Sequence, residues 1–217
     1  MNIEPIGYIE NDFKEKFGVP RQGGLVELPS KIVLLEKFSD ENALRGLEEF
    51  THVWLIWGFS EVTPGEFSPT VRPPRLGGNV RKGVFATRSP FRPNPLGLTA
   101  VRLEKIERGT ITVIGADLMN GTPIYDIKPY LPYVDSIPSA SNGWSLATSE
   151  SILKVTFPEE LLSRLPENKR RGLIETLAQD PRPQYQNSPE RVYTMSFGGF
   201  QVSFTVNGDT LTVTNVE

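Results

Sequence analysis

Short runs of β-branched and aromatic residues, most of them closed by glycine, proline or asparagine, recur through the first 130 residues of this 217-residue chain. Such runs fit strands and are too brief for helices. They fall at residues 3–9, 25–28, 31–35, 52–59, 83–87, 98–106, 110–118 and 124–128. The run at 52–59, HVWLIWGF, reads as a fully buried strand. In this half a helix is expected only after Ser39 or Asp40, where Ala43, Leu44, Leu47 and Phe50 recur at helical spacing. Short strands with one helix among them imply a mostly β fold, an antiparallel barrel or sandwich rather than a doubly wound sheet. Residues 136–151, SIPSASNGWSLATSES, are poor in charge and rich in serine, and mark a boundary between domains at 1–140 and 150–217. Beyond it come a strand at 152–157, helices at 158–165 and 168–179, and strands at 192–197, 200–206 and 210–216, which make a small α+β domain.

Charge is distributed unevenly. Between Glu66 and Glu104 there is no Asp or Glu, yet Arg72, Arg75, Arg81, Lys82, Arg88, Arg92 and Arg102 lie there. The rest of the chain keeps 16 basic residues against 26 acidic ones. A basic segment on an acidic protein points to a polyanionic partner. Prolines at 73, 74, 90, 93 and 95 restrict its backbone, so that Arg88, Arg92 and Asn94 are held as donors suited to phosphate or carboxylate.

Several chemistries are excluded or disfavoured. The absence of cysteine rules out disulfides, thiolate metal sites and a cysteine nucleophile, and the single histidine rules out a multi-histidine zinc centre; no metal site is expected. No GxGxxG motif is present, so a Rossmann cofactor fingerprint is missing. His52 reads as a structural residue, and Trp54, Trp57 and Phe59 read as core. The longest apolar run, 53–59, cannot span a bilayer, and the N-terminus lacks a signal peptide's apolar core, so a cytoplasmic location is the default expectation. Asp117, Asp126, Lys128 and Tyr130 form a second polar cluster. The charges of its DIKPY segment meet no evident structural need.

The segments VPRQGG, RPPRLGGNVRKGVFATRSPFRPNPLGLT, DLMNGTPIYDIKPYLP and LAQDPRPQY resemble the TsaA-like, or TrmO, family of tRNA methyltransferases over nearly the whole chain. The resemblance implies a non-Rossmann β-barrel that binds S-adenosylmethionine and acts as a homodimer, with the cofactor near the subunit interface. It also implies methyl transfer to N6 of threonylcarbamoyl-adenosine at position 37 of tRNA, beside the anticodon. Carried over motif by motif, cofactor contacts fall on Pro20, Arg21, Gln22, Ser60, Glu61, Arg88, Leu98, Ile114, Gly115, Ala116 and Asp117. The family commonly has an acidic residue where this chain has Asn120, which moves the expected carboxylate role to Asp126.

Methyl transfer from a sulfonium demands in-line alignment more than strong base catalysis. The urea-like nitrogen of the modified base loses its proton more easily than plain adenosine. Asp126, assisted by Lys128 and Tyr130, is the expected group to orient or deprotonate it. Arg72, Arg75, Arg81, Lys82, Arg92 and Asn94 are the expected tRNA contacts, because an unpaired anticodon loop can splay its bases for recognition. Two alternatives share the basic segment: a non-enzymatic RNA-binding module, and a methyltransferase of the same fold acting on another substrate.

Overall fold

The computed structural model describes residues 2–62, 67–73, 76, 79–148, 152–182 and 188–217. Alternating apolar residues build β1 (Gly7–Glu10), β2 (Pro29–Leu34), β3 (His52–Gly58), β6 (Leu96–Glu107), β7 (Thr110–Ile114) and β8 (Pro123–Pro129). These six close a barrel in the order β1-β2-β7-β6-β3-β8, with every neighbour antiparallel. Its interior is filled by Ile9, Ile32, Val53, Leu55, Ile111, Val113 and Ile124, all at most 1% exposed. Two-residue strands β4 (Thr70–Val71) and β5 (Lys82–Gly83) form a separate ribbon within the basic segment.

Four sequence expectations change. The helix after Asp40 is a single turn, α1 (Glu41–Leu44), capped by Asp40 Oδ1 accepting from the Asn42 amide at 2.8 Å. Gly46 at φ 87 ends that path, and a 3-10 turn at Leu47–Glu49 follows. Residues 25–28 form no strand: Val26 and Leu28 leave the barrel and bury themselves elsewhere. The stretch 83–87 becomes a 3-10 turn at Val84–Ala86, closed by the Thr87 hydroxyl donating to the Val84 carbonyl at 2.8 Å. β3 is also not buried on both faces, because Trp54 and Ile56 point outward and are only half-buried.

After α2 (Pro132–Asp135), the C-terminal part holds β9 (Lys154–Thr156), α3 (Glu159–Leu162), α4 (Glu167–Ala178), β10 (Tyr193–Phe197), β11 (Phe200–Asn207) and β12 (Thr210–Val216). The sheet order is β10-β11-β12-β9, with β9 parallel to β12. Its core draws on the β1–β2 connection: Phe13, Val26 and Leu28 pack with Leu173, Leu177, Met195, Phe197 and Phe204. Polar ties reinforce this. Lys169 pairs with Asp12, the Gly198 amide donates to the Asp12 carbonyl at 3.0 Å, and the Glu27 amide donates to Glu175 at 2.8 Å.

Helix α4 lies so close to this connection that a Cβ at Gly172 would sit 2.1 Å from Leu28 Cδ2. Gly172→Val therefore overpacks the junction and is expected to lower the unfolding free energy by about 1–3 kcal/mol. Urea denaturation followed by tryptophan fluorescence measures the loss. Unchanged stability would contradict the packing of α4 on Leu28.

Candidate functional site

One barrel end is covered by the connection carrying Pro20, Arg21 and Gln22 and by the proline-rich loop carrying Arg88. Between them lies a cleft of about 600 Å³, also walled by Trp57, Phe59, Leu98, Thr99 and Asp117. The barrel positions the floor through close approach. A Cβ at Gly97 would stand 2.2 Å from Trp57 Cε2, so glycine at that point of β6 lets the indole lie flat against the strand. The Trp57 indole N–H then donates to the Thr99 hydroxyl at 3.0 Å, and Thr99 donates to Asp117 Oδ1 at 2.6 Å. This chain of donors ends on a carboxylate.

Burial pushes the Asp117 carboxyl above its ordinary pKa. The Thr99 hydroxyl, its own amide, the positive charge of Arg88 and the Gly23 amide all pull it back down. Arg88 also donates to the Gln22 side-chain oxygen, which links the two covering loops. Arg21 donates to the carbonyls of Asp180 at 2.7 Å and Arg182 at 3.1 Å, tying the same connection to the C-terminal part.

The structure brings Pro20, Arg21, Gln22, Arg88, Leu98 and Asp117 into this one cleft. Ser60 and Glu61 line an adjoining hollow of about 220 Å³ that shares Trp57, Phe59 and Asp117 with it. Ile114, Gly115 and Ala116 act from behind. Ile114 ends β7, Gly115 exchanges backbone hydrogen bonds with Gly24 (2.8 Å) and Leu28 (3.2 Å), and Ala116 is buried in the barrel core. Thr99, absent from the sequence expectations, and Trp57, assigned there to core alone, complete the site. A small polar residue at a fully buried position of an apolar strand was the available signal for Thr99.

Asp126, Lys128 and Tyr130 lie outside that cleft. Asp126 Oδ2 pairs with Lys128 Nζ at 2.8 Å on β8, with both side chains part-exposed. Cross-strand register places Leu98, Ile56 and Asp126 in one row on the outer barrel face, and Ala100, Trp54 and Lys128 in the next. Two strand spacings separate Leu98 from Asp126, roughly 10 Å. The Tyr130 ring packs against Trp54 at 5.3 Å, and Trp54 reaches the cleft. Asn120 Oδ1 accepts from the Asn11 amide at 3.0 Å and so braces a turn. His52 is exposed, with Nδ1 3.0 Å from the Thr51 hydroxyl.

Among the expected tRNA contacts, Arg72 and Arg81 line a groove of about 1020 Å³ beside the cleft. Arg81 also donates to Thr70 at 2.9 Å. Arg92 lines the cleft and donates to the carbonyls of Val84 (3.1 Å) and Thr87 (2.8 Å), shaping the loop. Lys82 lies in β5, Asn94 is exposed before β6, and Arg75 falls outside the described residues.

Fold and cleft together define a ligand-binding antiparallel β-barrel whose pocket is made by loops at one end, not by the crevice of a parallel sheet. Residues 8–136 match the tRNA-methyltransferase O N-terminal domain and residues 150–217 the TrmO C-terminal domain. The chain belongs to the tRNA-methyltransferase O family. It is 42% identical to the tRNA (adenine(37)-N6)-methyltransferase of Escherichia coli (strain K12), over 95% of this chain and 93% of that one. A putative S-adenosylmethionine-dependent methyltransferase, RcsF, of Pseudomonas aeruginosa is 44% identical over 88% of this chain and 87% of its own. The crystal structure of TrmO from Pseudomonas aeruginosa superposes with a TM-score of 0.81 at 34% identity, covering 100% of this chain and 98% of that one.

The raised Asp117 pKa has a definite thermodynamic sign. A carboxyl whose folded pKa exceeds its unfolded one binds more protons folded than unfolded between the two values, so its contribution to stability falls as pH rises through that window. Asp117→Asn removes this dependence and is expected to gain on the parent in melting temperature as pH rises from about 4 to about 8. Parallel melting curves for parent and variant across that range would reveal a gap that instead stays constant or narrows, were the carboxylate not desolvated.

Proposed function

We propose that this protein transfers a methyl group from S-adenosylmethionine to N6 of adenosine 37 of tRNA in its threonylcarbamoyl form. The carrying observation is the junction of two cavities. The aromatic-walled cleft ending on Asp117 adjoins the arginine groove, and both share Arg21, Gln22, Thr87 and Arg88. The relatives' names and the match of both domains to one methyltransferase family support the same reading.

The residues present fit the cofactor. It carries a purine, a ribose diol and an amino-acid zwitterion, and the cleft offers aromatic walls, a hydrogen-bonded carboxylate and a cation in a volume suited to a ligand of that size. Pro20, Arg21, Gln22, Arg88, Leu98 and Asp117 would hold it, with Ser60 and Glu61 from the adjoining hollow and Ile114, Gly115 and Ala116 as backing. When bound, it supplies an electrophilic methyl on a sulfonium. The chain's own work is alignment and exclusion of water, through the loops at 20–23 and 88–98. Asp126, steadied by Lys128 and flanked by Tyr130, orients the acceptor nitrogen or takes its proton. Arg72, Arg75, Arg81, Lys82, Arg92 and Asn94 hold the tRNA. Arg92 keeps donors beyond the two that shape the loop.

The exposed apolar side chains Leu96, Leu98, Tyr133, Val134 and Ile137, near the cleft mouth and α2, support a homodimer through the outer barrel face. In that assembly the Asp126 row of one subunit would be near the cleft of another. We place the cofactor and catalytic groups in residues 1–140, assign 150–217 to the second domain, and locate the protein in the cytoplasm; among the described residues no helix is long and apolar enough to cross a membrane.

Nucleoside mass spectrometry of tRNA incubated with protein and S-adenosylmethionine is expected to show the methylated form of threonylcarbamoyl-adenosine, and none on tRNA lacking that modification. A product on another nucleoside would redirect the reading to a different substrate, and no cofactor binding by calorimetry would leave an RNA-binding module. Asp126→Asn should slow single-turnover methylation about 100-fold or more, the scale of general acid–base contributions, with cofactor affinity unchanged. An unchanged single-turnover rate would remove Asp126 from the mechanism.

A further inference from the structure

The arginine groove contains one residue that packing does not explain. Trp144 stands in the 3-10 turn at Gly143–Thr148, in the low-charge segment between the barrel and the C-terminal sheet. It is half-buried and joins neither apolar core. Its indole N–H donates to the Ala86 carbonyl at 3.0 Å, which fixes the ring by its edge and consumes neither face. The ring lines the groove together with Arg72, Arg81, Arg88 and Phe91.

Groove chemistry narrows the occupant. Five arginines line it, at positions 21, 72, 81, 88 and 182, and among the described residues no carboxylate does. Arg182 is matched by Asp180, which accepts from its Nε at 2.8 Å and Nη2 at 2.9 Å. The excess charge available to a ligand therefore includes Arg72 and Arg81. An aromatic face beside phosphate-competent guanidinium groups is the arrangement that captures an unpaired nucleotide, because every base offers a π-face and every linkage a negative charge. The groove also shares Arg21, Gln22, Thr87 and Arg88 with the cleft, so a nucleotide seated in it adjoins the site of methyl transfer.

We propose that the groove is a nucleotide subsite in which Trp144 stacks on an unpaired anticodon-loop base next to the acceptor adenosine, while Arg72 and Arg81 hold its phosphates. This deepens the methyltransferase reading and rests on it for the identity of the RNA.

The test measures binding of the full chain to an anticodon stem-loop bearing threonylcarbamoyl-adenosine, with S-adenosylmethionine binding and melting temperature as controls. Trp144→Leu should weaken RNA binding about ten-fold, the scale of one lost base–aromatic stack, with both controls unchanged. Trp144→Phe keeps a ring but loses the bond to Ala86, and should bind within about two-fold of the parent. If Phe and Leu weaken binding equally, the hydrogen bond and not the ring matters, and the proposal falls. It falls also if neither variant weakens it. Should Trp144→Leu misfold, the parent is tested on stem-loops with single abasic positions. One unpaired position beside the acceptor should then cost about ten-fold in the parent and about as much in Trp144→Phe, which keeps the ring. A flat abasic profile overturns the proposal. RNA binding with that profile but no methylation would instead overturn the functional reading and leave the subsite standing.

Discussion

Burial of Phe13, Val26 and Leu28 in the core of the C-terminal sheet is the constraint on which the site depends. All three belong to the connection between β1 and β2, whose other residues cover the end of the barrel. Each such side chain, moved from water to a packed interior, stabilises the fold by about 1.5–3 kcal/mol. That burial holds the backbone between them, so Pro20, Arg21 and Gln22 stand over the cleft instead of wandering in solvent. Gly24 and Gly115 join the connection to β7 by a backbone hydrogen bond of 2.8 Å, and Arg21 reaches across to the carbonyls of Asp180 and Arg182. The C-terminal part thus shapes the site without lining most of it.

Within that frame, the Trp57–Thr99–Asp117 chain gives the cleft its polarity. Its donors converge on a carboxylate whose pKa burial raises and these bonds lower in part, and Arg88 adds a positive charge from the opposite loop. A pocket with one acid, arginines at positions 21, 88 and 92 and aromatic walls can distinguish the ends of a zwitterionic nucleoside, whereas an apolar pocket of equal size could not. The arginine groove beside it has the opposite character, broad and cationic. The two meet at Arg88 and Gln22, which face both.

Much of the barrel was legible because its strands alternate and end in turn residues: β6, β7 and β12 lie where the pattern places them, to within a few residues. Misplaced elements have local causes. Gly46 breaks a helical pattern that Ala43, Leu44 and Leu47 would otherwise continue, and Val26 and Leu28 look like a strand because they alternate, but they alternate into another core. The helix α4 was visible from its own apolar spacing. At the site, the convergence of Gln22, Arg88 and Asp117 spans nearly a hundred residues, and no local periodicity carries it; only the family resemblance pointed there. Thr99 escaped notice because one threonine in LGLTAV has no sequence signature apart from its burial. Trp144 was hidden in a segment that composition marks as a boundary.

Hydrogen exchange with and without S-adenosylmethionine tests most directly whether the two loops and the end of β7 form one cofactor site. Amides in 19–24, 88–98 and 115–118 are expected to slow together on adding the cofactor, while those of β10 and β11 keep their rates. Protection confined to the C-terminal sheet, or protection of one loop without the other, would contradict it.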